Sequence, residues 1–417
     1  MVEAEPIPQH VQEKIERVHT ADLVVGVLAD LDPSALAALC DALRALPRTP
    51  RIAVLRDDHS PDPSPSNSPA ANNSSPFLVP WPLLSPDAPD TPMLNMSSAY
   101  QSVFAASEKL GARACCVIAS NLDAPSPAWV RQLAQPLLAE NVDLALPFYA
   151  RHKFEGLVNS SIIAPLTRCL YGRQIHNPMG PDLGVSQRLY QKMLGADRSA
   201  RNGGNRLHSI ASLAPAALCD NLLVCEVYLG ARIYAPTDWV NISSLIAEVL
   251  SPVFLDMERN AACWQRMRAS LTVPALGDPV LISEDKGTVD IRRMVESFHL
   301  GNRDLGEIWG LVLPPSTLVE LRKLARLPLE QFHMPDELWI RIVFDFALAH
   351  RLRTINRDHL LQSMTPLYMA WVASYAHDLE GAGAAAVDQR LERLSVAYET
   401  GKPYLVSRWR WPDRFNP

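Results

Sequence analysis

The chain lacks a long hydrophobic run, a paired-cysteine motif and an excess of positive charge. No apolar stretch reaches the ~18 residues that cross a bilayer, so no membrane span is expected. The first residues show neither the basic region nor the apolar core of a signal peptide. The seven cysteines include no CxxC spacing, which disfavours a zinc site and favours buried thiols in a reducing compartment. These absences predict a cytoplasmic protein.

Charge and length narrow the class of protein further. The formal net charge of −6 argues against nucleic acid, or an anionic membrane, as the main ligand. A chain of 417 residues, 48% of them hydrophobic, is long enough to build two domains with sizeable cores. Composition therefore predicts a two-domain globular protein.

The N-terminal part of the chain alternates short apolar runs with helical patterns. Asp22–Ala29 and Arg51–Leu55 are apolar runs typical of buried strands, and a helical pattern lies between them. This β–α–β order predicts a doubly wound sheet with right-handed crossovers. Asp58 follows the second run, where a carboxylate could bind a ribose or a uracil edge. A solvated turn explains Asp58 equally well.

A third apolar run, Ala114–Ile118, breaks abruptly into the small residues Ala119-Ser120-Asn121. A helix is predicted to begin near Trp129. In an open α/β sheet, ligands bind beyond the carboxyl ends of the strands. Residues 119–121 are therefore expected at the mouth of any active site.

The pattern changes along the chain in a way that predicts two domains. Residues 60–92 are rich in proline and serine, which predicts a mobile loop, with Phe77–Trp81 inside it as an edge strand. After about residue 238 the pattern is helical to the end, so we predict an α/β domain over 1–240 and an α-helical domain over 241–417. The basic and aromatic ending Tyr404–Pro412 is expected to dock on another subunit or on the chain itself. The aromatic residues expected in the helical core are Trp309, Phe332, Trp339, Phe344, Phe346, Tyr368 and Trp371.

Several segments together resemble the mannosylglycerate synthase and glucosyl-3-phosphoglycerate synthase group of retaining glycosyltransferases. The resemblance runs from about Ile15 to Trp411 without the loop at 60–92. It implies a GT-A-type, Rossmann-like nucleotide-sugar domain followed by an α-helical C-terminal domain. The segments that carry it are Ala21–Val27, Arg151–Asn159, Pro165–Gly172, Gly180–Ser186, Tyr228–Ile233, Arg357–Leu361 and Thr365–Tyr368.

The chemical positions of that family are mostly replaced in this chain. The family's Asp-x-Asp metal motif falls on Ala119-Ser120-Asn121, and its Gly-Lys-Gly segment falls on Asn95-Met96-Ser97. The Gly-Ile-Asp segment falls on His208-Ser209-Ile210, and the histidine that completes the metal site falls on Tyr234. The resemblance therefore implies a degenerate donor and metal site.

The remaining polar residues define the candidate site. Asn121 and Asp123 are candidates for the donor side, and Mg²⁺ or Mn²⁺ is expected only if Asp123 and Asp182 together rescue the metal site. Otherwise no cofactor is expected, and Arg151, His152 and Lys153 could bind the diphosphate directly. Each of these basic residues is also explained by a solvated or ion-paired surface position.

Acceptor binding and catalysis have their own candidates. Asn159, Arg173 and Tyr234 are assigned to the acceptor side. Asp182 and His208 are the catalytic candidates, through hydrogen bonds to sugar hydroxyls and general-base chemistry respectively. Both have structural alternatives: Asp182 could cap the turn at Gly184, and His208 could be a packing residue.

Two functional hypotheses stay open at this point. In the first, the chain is a catalytically impaired glycosyltransferase homologue that acts as a binding or scaffold subunit. In the second, it is an active, metal-independent transferase that moves a hexose from a nucleotide sugar to a small acidic or polyol acceptor. The expected partners are a nucleotide sugar or another small polar ligand, and a second copy or an active paralogue in an oligomer.

Overall fold

The computed structural model describes most of the chain and divides it into two compact units. The described residues are 9–28, 33–47, 50–56, 76–81, 83, 92–119, 127–201, 210–231, 237–268, 270–280 and 289–412. Unit 1 contains residues 1–150, 177–233 and 273–280, and unit 2 contains residues 151–176, 234–272 and 281–417. The main change of unit is at 233/234, and the domain boundary at 240/241 stays a prediction. The chain also exchanges two shorter segments, so that 151–176 belongs to unit 2 and 273–280 to unit 1.

Ten strands and sixteen α-helices are formed in the described residues. The strands are β1 Leu23–Val27, β2 Ile52–Arg56, β3 Phe77–Pro80, β4 Ala114–Ile118, β5 Leu144–Ala150, β6 Arg173–Gln174, β7 Leu183–Ser186, β8 Val224–Ala231, β9 Leu271–Thr272 and β10 Ala275–Leu276. The helices are α1 Gln9–Val18, α2 Pro33–Arg44, α3 Pro92–Lys109, α4 Pro127–Ala139, α5 Ala164–Tyr171, α6 Gln187–Arg201, α7 Leu213–Cys219, α8 Ile242–Arg259, α9 Ala261–Trp264, α10 Ile291–Asp304, α11 Gly306–Val312, α12 Pro315–Leu324, α13 Asp336–Leu352, α14 Arg357–Ser363, α15 Thr365–Asp378 and α16 Ala384–Arg410. A π-helical turn at Asn159–Ile163 precedes α5.

Unit 1 is built on an eight-stranded sheet in the order β10-β8-β5-β7-β4-β1-β2-β3. Strand β7 runs antiparallel to its neighbours β4 and β5, and the other pairs are parallel. Strands β1 and β4 are buried along their whole length, as expected for central parallel strands covered on both faces. The predicted α/β class, a sheet domain together with an α-helical domain, is confirmed. Strand β3 is the predicted edge strand.

Both faces of this sheet are covered by helices. On one face, α2 and α4 pack against alternate residues of β1, β2 and β4, and all of these residues are buried. On the other face, α3 approaches β1 so closely that a Cβ atom at Gly26 would lie 2.3 Å from Cγ2 of Val103. Glycine at position 26 therefore lets the helix and the central strand pack together.

Unit 2 is mainly helical, and its interior is aromatic. The middle of α13 is buried on almost every side. Trp339 in α13 lies 6.0 Å from Tyr368 and 6.1 Å from Trp371, measured between ring centroids. All seven aromatic residues predicted for the helical core are buried. This prediction of the core is confirmed.

The sequence patterns missed some elements and joined others. Strand β7 falls in a segment that was predicted as a loop, and the short strands β6, β9 and β10 were also missed. The sequence pattern predicts a single helix over 356–380, but the structure has two helices there, α14 and α15, which meet at Met364 just before Pro366. The ending expected to dock is the last part of α16, and within unit 2 its Trp409 packs edge-on against Trp264 at 5.3 Å.

Most of the cysteines are buried thiols, as expected. Cys40, Cys115, Cys116, Cys169 and Cys225 are free and buried. Burial raises the pKa of the Cys115, Cys169 and Cys225 thiols to about 12, which makes them poor nucleophiles. The expectation fails for Cys219 and Cys263, which are not free thiols. Among the described residues, no helix is long and apolar enough to cross a membrane.

Candidate functional site

The carboxyl end of β4 is where the sequence placed the mouth of the site. The backbone N–H of Leu28, just after β1, donates to the carbonyl of Ile118 at 2.8 Å, so β1 and β4 end side by side. Ala119 follows β4 and is buried. Its methyl group offers no ligand atom. Ser120, Asn121 and Asp123 lie outside the described residues.

Asp182 lies at the start of β7 and is fully buried. Its Oδ1 atom accepts the backbone N–H of Ala119 at 2.9 Å, and its Oδ2 atom accepts the hydroxyl of Tyr149. These contacts join the ends of three neighbouring strands, β4, β7 and β5. The carboxylate therefore holds the sheet together at the strand ends.

The loop before Asp182 is packed against the middle of β5. The side-chain amide of Asn177 is buried and donates to the carbonyl of Pro147 at 3.0 Å. A Cβ atom at Gly180 would lie 2.1 Å from Cγ of Pro147, so the loop can approach this closely only with glycine. The hydroxyl of Tyr100, in α3, donates to the carbonyl of Pro181. These contacts fix Asp182 from both sides.

The donor atoms described at this strand end do not fit a divalent cation. Mg²⁺ and Mn²⁺ prefer several oxygen ligands, usually carboxylates. Ala119 supplies none, and both carboxylate oxygens of Asp182 accept hydrogen bonds from the protein. In the part of the chain that the structure describes, no group of three or more His, Cys, Asp and Glu side chains could hold a metal.

The basic segment directly after β5 forms a compact turn in unit 2. The N–H of His152 donates to Oε2 of Glu155 at 3.2 Å, and the N–H of Glu155 donates to the carbonyl of His152 at 3.0 Å. Gly156 has a φ of +61°, and a Cβ atom there would lie 2.3 Å from a guanidinium nitrogen of Arg151. Arg151 therefore packs against the glycine, and both Arg151 and His152 are partly exposed.

Lys153 is tied to the helices of unit 2. Its Nζ atom donates to the carbonyl of Leu379 at 3.3 Å and lies 5.2 Å from the centroid of the Phe154 ring. Its carbonyl accepts the hydroxyl of Tyr375 at 3.0 Å. These contacts hold both the side chain and the backbone of Lys153.

One acceptor-side candidate, Asn159, contacts the segment that follows a second candidate, Arg173. Asn159 is in the π-helical turn, and its amide donates to the carbonyl of His176 at 2.7 Å. Arg173 lies in β6, three residues before His176, and its guanidinium donates to the carbonyl of Gly172 at 2.9 Å. The structure therefore brings Asn159 and the 173–176 segment together. Tyr234 lies outside the described residues.

The π-helical turn is supported from inside unit 2. The carbonyl of Ser161 accepts the hydroxyl of Tyr398 at 3.0 Å and the indole N–H of Trp339 at 3.5 Å. A π-helical turn leaves backbone groups off the regular helical pattern, and such turns are frequent at functional sites. The two aromatic donors satisfy one of these groups.

The placement of the predicted site residues is uneven. Asp182 belongs to unit 1, whereas Arg151, His152, Lys153, Asn159 and Arg173 belong to unit 2. Asp58, Asn121, Asp123, His208 and Tyr234 lie outside the described residues. Sequence reasoning missed Tyr149 and Tyr100. Neither residue stands in a recognisable motif, and only the fold brings their hydroxyl groups to the 181–182 loop.

No family model matches the chain, and no curated protein matches it. Among solved structures, the chain is similar to glucosyl-3-phosphoglycerate synthase from Mycobacterium tuberculosis in complex with Mn²⁺, UDP-glucose and phosphoglyceric acid. That alignment has 19% identity and a TM-score of 0.37, and it covers 60% of this chain and 84% of the synthase.

Two further structures give the same picture. The same synthase with Mn²⁺, UDP and glucosyl-3-phosphoglycerate aligns at 20% identity and a TM-score of 0.35, covering 58% of this chain and 84% of the synthase. A mycobacterial protein aligns at 18% identity and a TM-score of 0.36, covering 59% of this chain and 78% of the other. The chain resembles these proteins.

Proposed function

We propose that this chain is a glycosyltransferase-type protein that has lost its metal site and acts as a nucleotide-sugar-binding or scaffold subunit. The proposal rests on one observation at the end of β4: the backbone N–H of Ala119 donates a hydrogen bond to the carboxylate of Asp182. The fold provides the usual ligand-binding edge of an α/β sheet. At that edge, an alanine stands where the resembling family has the first carboxylate of its metal motif.

The carboxylate nearest to Ala119 has a structural task. Asp182 is fully buried, and its two oxygens accept hydrogen bonds from Ala119 and Tyr149. A buried carboxylate is stabilised by such charge-assisted bonds, and diverting it to a cation would leave two donors without this acceptor. This supports a site in which Asp182 does not replace the missing ligand.

The leaving diphosphate gains negative charge during sugar transfer, and a divalent ion commonly stabilises that charge by several kcal/mol. A site without this ion can still bind a nucleotide sugar, since binding and acceleration are separate requirements. We therefore infer that this chain still binds its ligand although it no longer catalyses sugar transfer. Its partners would be a nucleotide sugar or a small polar ligand, and a second copy or an active paralogue in an oligomer.

The alternative is an active, metal-independent hexosyltransferase. The observation that favours it is the exposed part of the basic turn after β5. Arg151 and His152 are partly exposed, and arginine binds phosphate oxygens bidentately without a metal. In this alternative, Arg151 and His152 would bind the donor diphosphate, and Asn159 and Arg173 would contact a small acidic or polyol acceptor.

Calorimetric titration with UDP-glucose and GDP-mannose, each with Mn²⁺ and with EDTA, tests the proposal. The wild type is expected to bind one of these ligands with an affinity that Mn²⁺ changes by less than about two-fold. The double variant Ala119→Asp with Asn121→Asp restores the two carboxylates, and Mn²⁺ should tighten its binding by about ten-fold or more. Ala119→Asn is the matched control, because it adds a side chain of similar size without charge.

Three outcomes separate the hypotheses. Strong Mn²⁺-dependence in the wild type would contradict the loss of the metal site. Metal-independent binding together with release of UDP in the presence of acceptor would favour the active transferase. If the wild type binds no nucleotide sugar at all, both the binding proposal and the active alternative fail.

A further inference from the structure

Three segments of unit 2 carry positive charge without any acidic residue. Residues 259–272, 346–357 and 400–412 contain nine arginines and lysines and no aspartate or glutamate. The whole chain has a formal charge of −6, so the charge is distributed very unevenly. An overall negative charge therefore does not describe this part of the surface.

The fold brings the three segments together at one end of unit 2. The ring of Trp409 packs against Trp264, and the guanidinium of Arg410 donates to the side chain of Gln265 at 2.9 Å. Arg351 donates to the carbonyl of Trp409 at 2.7 Å, and its guanidinium carbon lies 4.7 Å from the centre of the Trp409 ring. The first two segments thus contact the end of α16, which lies in the third.

Part of this positive charge is used inside the fold. Lys402 donates to the carbonyl of Met267 at 2.8 Å, and Arg408 lies 2.8 Å from the buried carboxylate of Asp345. Arg357 lies 3.4 Å from Glu258. These contacts explain why the segments need basic residues internally. They do not explain the arginines on the outside.

Four arginines of these segments are exposed, as are two apolar side chains of the same segments. Trp411 is 70% exposed and Leu352 is 45% exposed, both unusually high for large apolar residues. We call this surface the basic cap. It consists of the exposed residues Arg266, Arg268, Leu352, Arg353, Arg410 and Trp411.

We propose that the basic cap binds an anionic phospholipid surface. Guanidinium groups bind phosphate bidentately, and clusters of four or more basic residues bind anionic headgroups. Tryptophan is enriched at membrane–water interfaces because its ring is apolar and its N–H is polar. The cap combines both features. The acids that directly flank the three segments in sequence are Glu258, Asp345, Asp358, Glu399 and Asp413, five against nine basic residues. This inference goes beyond the proposed function and does not depend on it.

A lipid surface fits the cap better than single-stranded RNA does. Single-strand binders stack successive bases on several exposed aromatic rings along a basic groove. In the cap only Trp411 is an exposed aromatic side chain, since Trp264 and Trp409 are buried. The aliphatic Leu352 has a use at a lipid interface and none in base stacking.

Sedimentation with vesicles tests the proposal on the full chain. Vesicles of phosphatidylcholine alone are compared with vesicles of phosphatidylcholine mixed with phosphatidylglycerol, at low salt and at about 0.15 M salt. The wild type should sediment with the anionic vesicles only, and more weakly at the higher salt. Arg266→Gln with Arg353→Gln and Arg410→Gln should lower the partition coefficient about 100-fold, at about five-fold for each charge.

A matched control removes the same charge elsewhere in unit 2. Arg292→Gln with Arg322→Gln and Lys323→Gln changes three exposed basic residues outside the cap. This control should partition within about two-fold of the wild type. Trp411→Ser should weaken sedimentation while leaving the thermal unfolding curve unchanged, which separates lipid contact from folding.

Several results would overturn the proposal. It fails if the wild type does not sediment with anionic vesicles at low salt. It also fails if the cap variant and the control variant lose binding equally, because the effect would then be one of net charge. Tighter binding of a fluorescent single-stranded RNA than of anionic vesicles would replace the lipid surface by nucleic acid.

Discussion

Replacing Asp182 tests whether this carboxylate holds the strand ends together or takes part in chemistry. Asp182→Ala would leave the N–H of Ala119 and the hydroxyl of Tyr149 without this acceptor. A buried polar group without its partner costs about 1–3 kcal/mol, so the variant should lose about 2–6 kcal/mol of unfolding free energy. Asp182→Asn keeps one acceptor oxygen and should lose less.

The companion variant Tyr149→Phe makes the argument quantitative. It removes a single hydrogen bond to a charged group and should cost about 1.5–3 kcal/mol. In the double variant the Tyr149 hydroxyl is already absent, so Asp182→Ala leaves only the N–H of Ala119 without its acceptor. A coupling energy of about 1–3 kcal/mol is therefore expected from the double-mutant cycle. Urea unfolding followed by circular dichroism measures all four free energies.

Two results would contradict this role of Asp182. If Asp182→Ala unfolds at the same urea concentration as the wild type, the carboxylate does not hold the strand ends. If the same variant also abolishes nucleotide-sugar binding, Asp182 would be a ligand-binding residue, as the sequence pattern first suggested. Stability lost with nucleotide binding retained is the result that the structure predicts.

Three further predictions concern packing and charge. Gly180→Ala should destabilise the chain in thermal unfolding, because its methyl group would lie 2.1 Å from a ring carbon of Pro147. Gly195→Ala is the control: a Cβ atom there has no neighbour within 4 Å, so the variant should be neutral or stabilise by up to ~1 kcal/mol. Equal effects of the two variants would contradict the close packing at Gly180. The guanidinium of Arg390 donates to the two carboxylate oxygens of Asp336 at 2.7 and 2.9 Å. In urea unfolding, Arg390→Lys should therefore lower the free energy of unfolding by about 1–3 kcal/mol and Arg390→Met by about 3–5 kcal/mol. Similar losses for both variants would contradict a bidentate contact. Burial lowers the pKa of His350 to about 4. As the pH falls, His350 is therefore protonated in the unfolded chain before it is protonated in the folded chain, and the free energy of unfolding should fall by about 2 kcal/mol from pH ~7.5 to ~5. His350→Gln should flatten this decline, and an unchanged decline would exclude His350 as its source.

The elements that depend on local pattern were predictable from the sequence. Strand β4 was predicted with its observed bounds, because Ala114–Ile118 is an uninterrupted apolar run with a clear break after it. The core aromatics of unit 2 were also predictable from helical spacing. Strand β7 was missed because it has only four residues, contains Gly184 and follows a proline and two turn residues. Its antiparallel pairing with β4 and β5 is a long-range property that a local pattern does not reveal.

The candidate site was predictable in its location and not in its internal contacts. Ala119 was expected at a strand end, and the fold places it there. The partners of Asp182 could not be read from the sequence, since Tyr149 lies 33 residues away and Ala119 lies 63 residues away. The alanine that follows β4 was visible in the sequence. Only the fold shows that the carboxylate of Asp182 accepts hydrogen bonds from the backbone of Ala119 and the hydroxyl of Tyr149.

The most direct test of the central claim is Mn²⁺ electron paramagnetic resonance on the wild type with saturating UDP. The account predicts that adding the protein leaves the free Mn²⁺ signal where UDP alone sets it, whereas the Ala119→Asp, Asn121→Asp variant lowers that signal. A loss of the free signal in proportion to added wild-type protein would contradict the account, because the chain would then hold a metal ion that its described residues do not fit.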